Sequence, residues 1–197
     1  MNPYRIVSDF EQALCEYTGA SLACAVNSCT AALQLCCEWI CNGGEVSIPK
    51  HTYVSVPCAI IQAGCGVVFR DEEWRGAYQL TPLPIWDCAR RFTSGMYVKG
   101  QFQCVSFAAS KILGIEQGGA ILHNDPKAQT WFQAMKFDGR MPGTMPSGET
   151  VIGIGHHCLM TPSVAAQALL RLHHLPKHNE DLPDYPYPDL STFEVFR

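Results

Sequence analysis

The chain has 197 residues, of which 47% are hydrophobic and 16% charged, so it can bury a core and is not a disordered protein. The net charge is −4 and no run of Lys and Arg exceeds two residues, which argues against a nucleic-acid surface. No apolar run has the length of a bilayer span, and the first residues do not resemble a signal peptide. We therefore expect a cytoplasmic protein with no membrane or nucleic-acid partner.

The first half of the chain alternates between predicted helices and strands. Ser8 followed by Glu11 has the pattern of a capping box at a helix start, and Gly19 is placed to end that helix. Gly43-Gly44 ends the second helix, and Pro57 fits the first turn of the third. Helices are predicted at 8–17, 31–40 and 53–63, and strands at 22–26, 45–48 and 66–69. This alternation favours a parallel sheet covered by helices.

The second half continues the pattern less regularly. Further strands are predicted at 83–86, 103–107 and 118–122, helices at 127–137 and 162–175, and a loop at 139–155. From Pro176 the chain is rich in proline and acids, which predicts an extended or poorly ordered tail. We expect an α/β domain over residues 1–176 and a Pro-rich tail over 177–197.

The eleven cysteines are scattered through apolar runs and include no C-x-x-C pair. Their odd number and spacing do not indicate a disulfide framework or a metal site. We expect buried free thiols in a reducing compartment and no bound metal.

Two segments that follow predicted strands carry groups suited to a phosphate and a flat ring. Asn27-Ser28-Cys29-Thr30 opens a helix, where free N–H groups, the helix dipole and two hydroxyls favour an anion. Ordinary helix capping would explain the same residues. Tyr53 follows the strand 45–48 and could stack on a ring, or simply pack in the core.

Two further segments carry an acid and a lysine. Asp87 ends the strand 83–86, at the edge where open α/β sheets bind ligands, although it could also cap a helix or pair with Arg90 or Arg91. Lys111 follows a strand among small and apolar residues, which would disfavour its charged form and make it a nucleophilic amine. A surface lysine is the alternative.

The order of these segments resembles the DegT/DnrJ/EryC1/StrS aminotransferases, fold-type-I enzymes that use pyridoxal 5′-phosphate (PLP) and mostly aminate nucleotide-linked keto-sugars. The resemblance spans about residues 8–175 and is most specific from Ser106-Phe107 through Lys111 to Gly118-Gly119-Ala120. Further matching segments are Phe10-Glu11, Ser28 to Leu33, Pro49 to Tyr53, Asp87 to Ala89, and Glu116-Gln117. The resemblance implies a three-layer α/β/α fold with a mostly parallel central sheet.

The resemblance also implies roles for individual residues. Lys111 would form the Schiff base with PLP and move protons, and Asp87 would pair with the ring nitrogen. Tyr53 would stack on the ring, and Arg90 stands where the family has a glutamine near the ring hydroxyl. The phosphate would be held by Ser28, Cys29 through its backbone, Thr30 and Ser106.

The chain departs from the family in three places. It is about half the family length, the connection between Asp71 and Pro84 is short, and the C-terminal small domain is largely missing after Pro176. Where relatives have residues that reach the partner subunit's site, this chain has roughly His157 and Leu159.

The resemblance implies an aminotransferase that moves an amino group from glutamate to a nucleotide-linked keto-sugar. It also implies a homodimer, since the sites of such enzymes are built from two subunits. Two alternatives remain open because of the shortening. The chain could bind PLP without turnover, or it could complete the site of a full-length relative.

Overall fold

Helices cover both faces of a central sheet in the computed structural model, which describes residues 3–141 and 151–196. The helices are α1 (Arg5–Thr18), α2 (Cys29–Ile40), α3 (Ser55–Gln62), α4 (Pro126–Met135) and α5 (Pro162–His174). The strands are β1 (Leu22–Val26), β2 (Glu45–Pro49), β3 (Gly66–Arg70), β4 (Tyr78–Leu80), β5 (Ile85–Asp87), β6 (Phe102–Ser106) and β7 (Gly119–His123). The predicted alternation of helix and strand is therefore confirmed, whereas the predicted loop at 139–155 lies largely outside the described residues.

The sheet is mixed: five of the seven strands in the described residues run in one direction, but only β5–β6 and β2–β3 pair in parallel. Five strands pair in the order β1-β7-β6-β5-β4, and β2 pairs with β3 in parallel. Two backbone hydrogen bonds between Ser47 and Thr81, of 2.7 and 3.0 Å, connect β2 to the chain just after β4. Only β7 and β4 run against their neighbours among these strands. The predicted sheet is thus confirmed, with two antiparallel strands that the pattern did not reveal.

Alternate side chains of the central strands fill two separate cores. In β1, Cys24 and Val26 pack into the core shared with α2 and α4, while Ala23 and Ala25 face the core shared with α1 and α5. This period of two follows from strand geometry. Strands buried on both faces confirm the expected three-layer α/β/α arrangement.

The predicted capping box at the start of α1 is wrong. The helix begins at Arg5 without a side-chain cap, so Ser8 lies inside it. The Glu11 carboxylate instead accepts the backbone N–H of Ala25 at 2.8 Å and the Lys136 ammonium at 3.0 Å. Glu11 does not cap the helix, because its side chain points into the protein and makes these tertiary contacts instead. Gly19 ends the helix in the left-handed region, as predicted.

The shortened connection contains a strand that the sequence pattern did not predict. β4 lies between β5 and β2 and fills that position of the sheet with only three residues. Its partner in the antiparallel register is β5, with Tyr78 opposite Asp87. The short connection therefore still places a strand beside β5, and the single bridge between Ser47 and Thr81 joins it to the β2–β3 pair.

The tail after Pro176 lies against the domain. Asp181 accepts both a 2.9 Å and a 2.7 Å hydrogen bond from the Arg91 guanidinium. Further along, the Leu190 N–H donates to the Lys50 carbonyl, and the Tyr187 carbonyl lies 3.0 Å from the His51 ring. These contacts tie an irregular segment to the edge of the sheet that carries the candidate site. Two short 3₁₀ turns follow, at Leu190–Thr192 and Glu194–Phe196.

The eleven cysteines are free thiols, and seven of them are buried as expected. The other four are partly exposed: Cys15, Cys41, Cys58 and Cys158. In the described part of the chain no group of three or more His, Cys, Asp or Glu side chains is arranged to hold a metal. The helices found in residues 3–141 and 151–196 are all too short or too polar to cross a bilayer.

Candidate active site

A cavity of about 790 Å³ opens at the carboxyl ends of β1, β2, β5 and β6. Every residue that the sequence singled out for the site lines it. These residues are Ser28, Cys29, Thr30, Tyr53, Asp87, Arg90, Ser106 and Lys111. The parallel strands bring them together because their carboxyl ends share one edge of the sheet.

The amino terminus of α2 forms one end of the cavity. Ser28 is the N-cap, and its hydroxyl accepts the Ala31 N–H at 3.1 Å. The Thr30 hydroxyl is exposed and donates to Ser55 at 2.9 Å. The Cys29 thiol points inward to the Cys104 carbonyl, so Cys29 can offer only its backbone. Ser28 therefore caps α2, as the alternative interpretation predicted, and it also lines the cavity.

Two glycines let another strand approach this helix start. Gly118 has φ of 144° and bridges to Ser28, and β7 begins at the next residue. A Cβ built on Gly119 would lie 2.5 Å from the Cys29 nitrogen and 2.5 Å from the Ser28 carbonyl carbon. Both atoms belong to the backbone and cannot rotate away. The Gly-Gly segment therefore sets the shape of this end of the cavity.

We expect Gly119→Ala to lower the free energy of unfolding by about 1–3 kcal/mol, the usual cost of overpacking a close contact. Gly66→Ala is the matched control, because Gly66 also begins a strand and its added Cβ would meet only Glu45 Cγ, at 3.6 Å. Urea unfolding of both variants measures the difference. Equal stability of the two variants would show that the Gly119 backbone contact is looser than described.

Asp87 is 4% exposed and has both carboxylate oxygens bonded to protein donors. One oxygen accepts the Ala89 N–H at 2.8 Å and the other accepts the Tyr78 hydroxyl at 3.1 Å. Burial raises the pKa of Asp87, and the two hydrogen bonds and the charge of Lys111 oppose that rise. The alternative of a salt bridge to Arg91 is wrong, since Arg91 pairs with Asp181.

Lys111 stands in the turn after β6, where its backbone N–H donates to the Ala108 carbonyl at 2.8 Å. Its side chain is half-buried, and this burial lowers the pKa of the amine. The positive charge of Arg90 lowers the pKa further, while Asp87 opposes the change. Lys111 is therefore not an ordinary surface lysine, because its ammonium loses its proton at a lower pH.

Arg90 and Tyr53 border the open side of the cavity. The Arg90 guanidinium donates to the Pro183 carbonyl, while its buried Nε has no hydrogen-bond partner in the structure. Tyr53 is 56% exposed, so it is not a core residue. An unpartnered buried donor is rare in proteins, because leaving it without an acceptor costs free energy.

Several cavity residues were missed by the sequence analysis. Trp74 and the tail residues Tyr185 and Tyr187 form an aromatic wall beside Tyr53, whose ring centroid lies 6.4 Å from that of Tyr187. The buried Thr52 lines the cavity beside them. These aromatic residues are visible in the sequence, but no local pattern predicts that the tail folds back onto the site, since this depends on tertiary contacts. Elsewhere, the exposed His157 bonds to Asp138 and lies outside the lining.

A sheet of this topology with helices on both faces is the fold of known aminotransferases. An aminotransferase of the DegT/DnrJ/EryC1/StrS type from Brucella abortus is 20% identical, with a TM-score of 0.67. The alignment covers 85% of this chain and 58% of that one.

Two other solved structures were determined with small molecules present. NtdA from Bacillus subtilis, solved with the cofactor PMP, is 16% identical with a TM-score of 0.68, covering 86% of this chain and 48% of that one. DesI, solved in the presence of its TDP-sugar product, is 20% identical with a TM-score of 0.67, covering 88% and 54%. The chain therefore spans about half the length of these structures. None of the curated proteins compared with the chain matches it.

The sequence model of the DegT/DnrJ/EryC1/StrS aminotransferase family matches residues 1–96 and 90–182. These matches include all the residues assigned to the candidate site. The chain belongs to this family of PLP-dependent aminotransferases.

Proposed function

We propose that this chain binds PLP through Lys111 and acts as an aminotransferase. The observation that carries the proposal is the meeting of Lys111 and Asp87 in one cavity, where each influences the pKa of the other. A neutral amine and a buried carboxylate are the two protein groups that PLP chemistry requires.

The residues present fit PLP. The start of α2, with Ser28 and Thr30, would hold the phosphate together with Ser106. Asp87 would accept the N–H of the pyridine ring, Tyr53 would cover a ring face, and Arg90 would lie near the ring hydroxyl. When bound, PLP supplies a protonated ring that withdraws electrons from the reacting substrate carbon.

The chain's own residues would then carry the proton transfers. Burial and the charge of Arg90 lower the pKa of Lys111, so its amine becomes neutral at a lower pH than that of a solvent-exposed lysine. The neutral Nζ can attack a carbonyl carbon. Once an amino donor displaces it, the same Nζ becomes a free base that can take a proton from the donor's α-carbon. Asp87, held at both oxygens, would keep its negative charge at a fixed place through both events.

We propose glutamate as the amino donor and a nucleotide-linked keto-sugar as the acceptor, in a homodimer. The family supports this choice, and the structure of DesI was determined in the presence of its TDP-sugar product. Trp74, Tyr185 and Tyr187 form the aromatic wall of a part of the cavity that extends beyond the proposed cofactor residues. We also propose that residues 1–176 form the PLP-binding unit and residues 177–197 follow it as a Pro-rich tail.

A second candidate is PLP binding without turnover, or as a subunit that completes a longer relative's site. The chain covers only 48–58% of the solved structures described above. Single-turnover amino transfer from glutamate, measured with the purified chain alone, separates the candidates. Transfer at the rate of full-length relatives would remove the second one.

The proposed cofactor is tested by the absorption spectrum of the purified protein after PLP is added. We expect a visible band that borohydride abolishes, with PLP fixed to the chain. Absence of both the band and the label would sink the proposal, whatever the result with amino donors.

We expect Asp87→Asn to retain borohydride-fixed PLP but to lose turnover by about 10²-fold or more, the scale for removing one fixed electrostatic contact. An amide cannot keep the ring nitrogen protonated. Asp71→Asn is the control, because Asp71 is an exposed acid whose partner is Lys50. Near-normal turnover of Asp87→Asn would make Asp87 a structural residue.

A further inference from the structure

The buried hydroxyls of two residues stand behind Asp87. Tyr78 is 3% exposed and lies directly opposite Asp87 in the β4–β5 register. Its hydroxyl is 3.1 Å from Asp87 Oδ2 and 2.5 Å from the Thr52 hydroxyl. Thr52 is 1% exposed, and Trp74 packs edge-on against the Tyr78 ring at 4.7 Å. The packing therefore holds both hydroxyls in place.

The direction of these hydrogen bonds follows from the inventory of donors. An ionised carboxylate can only accept, so Tyr78 must donate its single proton to Asp87. The Tyr78 oxygen is then left as an acceptor, so the proton between the two hydroxyls comes from Thr52. A chain of donors runs from Thr52 through Tyr78 to Asp87 Oδ2.

We propose that Tyr78, supported by Thr52, is a positioning residue that fixes the orientation of Asp87 and keeps its carboxylate ionised. The inference rests on the proposed function for its purpose, since Asp87 would meet the ring nitrogen of PLP. Tyr78 lies on β4, the strand in the shortened connection that was not predicted from the sequence. This strand would therefore contribute a residue that supports the site. Tyr78 itself does not line the cavity, so it acts through Asp87.

The need for such a donor comes from burial. A carboxylate without access to water becomes protonated unless hydrogen bonds or positive charges stabilise its ionised form. At Asp87 the donors are the Ala89 N–H and the Tyr78 hydroxyl, on different oxygens. Two donors from two directions also prevent rotation of the carboxylate.

Other ionisable groups act on Asp87 from the surrounding elements. Lys111 is the cation among them, and it favours the ionised form. The remaining groups are the phenols of Tyr78 and Tyr187 and the thiols of Cys29, Cys88 and Cys104. Burial raises the pKa of each of these thiols and phenols, so they stay neutral at neutral pH.

The test measures the Asp87 carboxyl directly in the full chain without PLP. Aspartate labelled with ¹³C at the carboxyl carbon is titrated by NMR, and the Asp87 signal is assigned by its loss in Asp87→Asn. We expect Tyr78→Phe to raise the Asp87 pKa by about one unit or more, the size expected for losing a hydrogen bond to a charged group. In PLP-loaded protein, equilibrium dialysis should show roughly tenfold weaker binding.

Substitutions of Thr52 give a second route that does not depend on Tyr78→Phe folding well. Thr52→Val removes the supporting hydroxyl and should raise the Asp87 pKa by a smaller amount, whereas Thr52→Ser should leave it near the wild-type value. Tyr97→Phe is the control for removing a tyrosine hydroxyl, because Tyr97 bonds to Asn124 and Gln101, away from Asp87.

An Asp87 titration unchanged in both Tyr78→Phe and Thr52→Val would overturn the inference. So would an equal shift in Tyr97→Phe, because the effect would then be a general response to a lost hydroxyl. If wild-type protein failed to bind PLP, the proposed function would fail while the titration would still report on Tyr78. The two failures are therefore distinguishable.

Discussion

Lys111→Ala is expected to remove borohydride-fixed PLP completely, from one label per chain to none, while the fold remains intact. Lys111 is the lysine that lines the cavity, and burial and Arg90 lower the pKa of its amine. A protonated lysine on the open surface lacks the free electron pair that forms the covalent bond. Peptide mapping of the reduced protein by mass spectrometry identifies the labelled residue, and circular dichroism checks the fold.

Lys99→Ala is the matched control for this experiment. Lys99 is exposed and lies outside the cavity lining, so its loss should leave the label unchanged. Recovery of the label on Lys50, Lys99 or Lys136 in the wild-type protein would contradict the assignment of Lys111. Retention of a full label in Lys111→Ala would do the same.

Glu11→Gln is expected to lower the free energy of unfolding by about 3–5 kcal/mol, the range for breaking a buried ion pair. The Lys136 ammonium lies 3.0 Å from Glu11 and has a side chain only 8% exposed. Glutamine keeps the size of Glu11 but not its charge, so Lys136 would remain charged in the interior or lose its proton. Denaturant unfolding of the wild type and the variant gives the difference.

Glu16→Gln is the control for this prediction, since Glu16 is exposed on the same helix and makes only a hydrogen bond with Gln12. Surface charges of this kind contribute little to stability. The double variant Glu11→Gln with Lys136→Met should be more stable than the sum of the two single losses allows, because no buried charge is left unpaired. Additive losses would show that the two groups do not interact.

The sequence was informative where residues close in the chain determine the structure. Ser28 at a helix start, Asp87 at the end of a strand and Lys111 after the next strand all line one cavity, because the carboxyl ends of parallel strands converge. The helix ending at Gly19 and the helix beginning at Pro162 follow from local backbone preferences.

The failures concern contacts between distant segments. Ser8 and Glu11 matched a capping pattern, yet hydrogen bonds from the Lys136 ammonium and the Ala25 N–H fix the orientation of the Glu11 side chain. β4 has only three residues, too few for a hydrophobic period to be detected. The return of Tyr187 to the cavity depends on tertiary contacts such as that with Trp74, which no local pattern reveals.

The pairing of β1 with β7 has a consequence for the folding order. Val26 lies beside Gly119 in the register, although β2 to β6 and most of the cavity residues come between them in the chain. Contacts of such high sequence separation form late, since the loop between them must first be closed. A nascent chain that has emerged only as far as β6 therefore has Ser28 but no Gly119 to complete the pocket. A ligand that needs the complete pocket binds only the folded chain, so it shifts the folding equilibrium toward the native state by mass action.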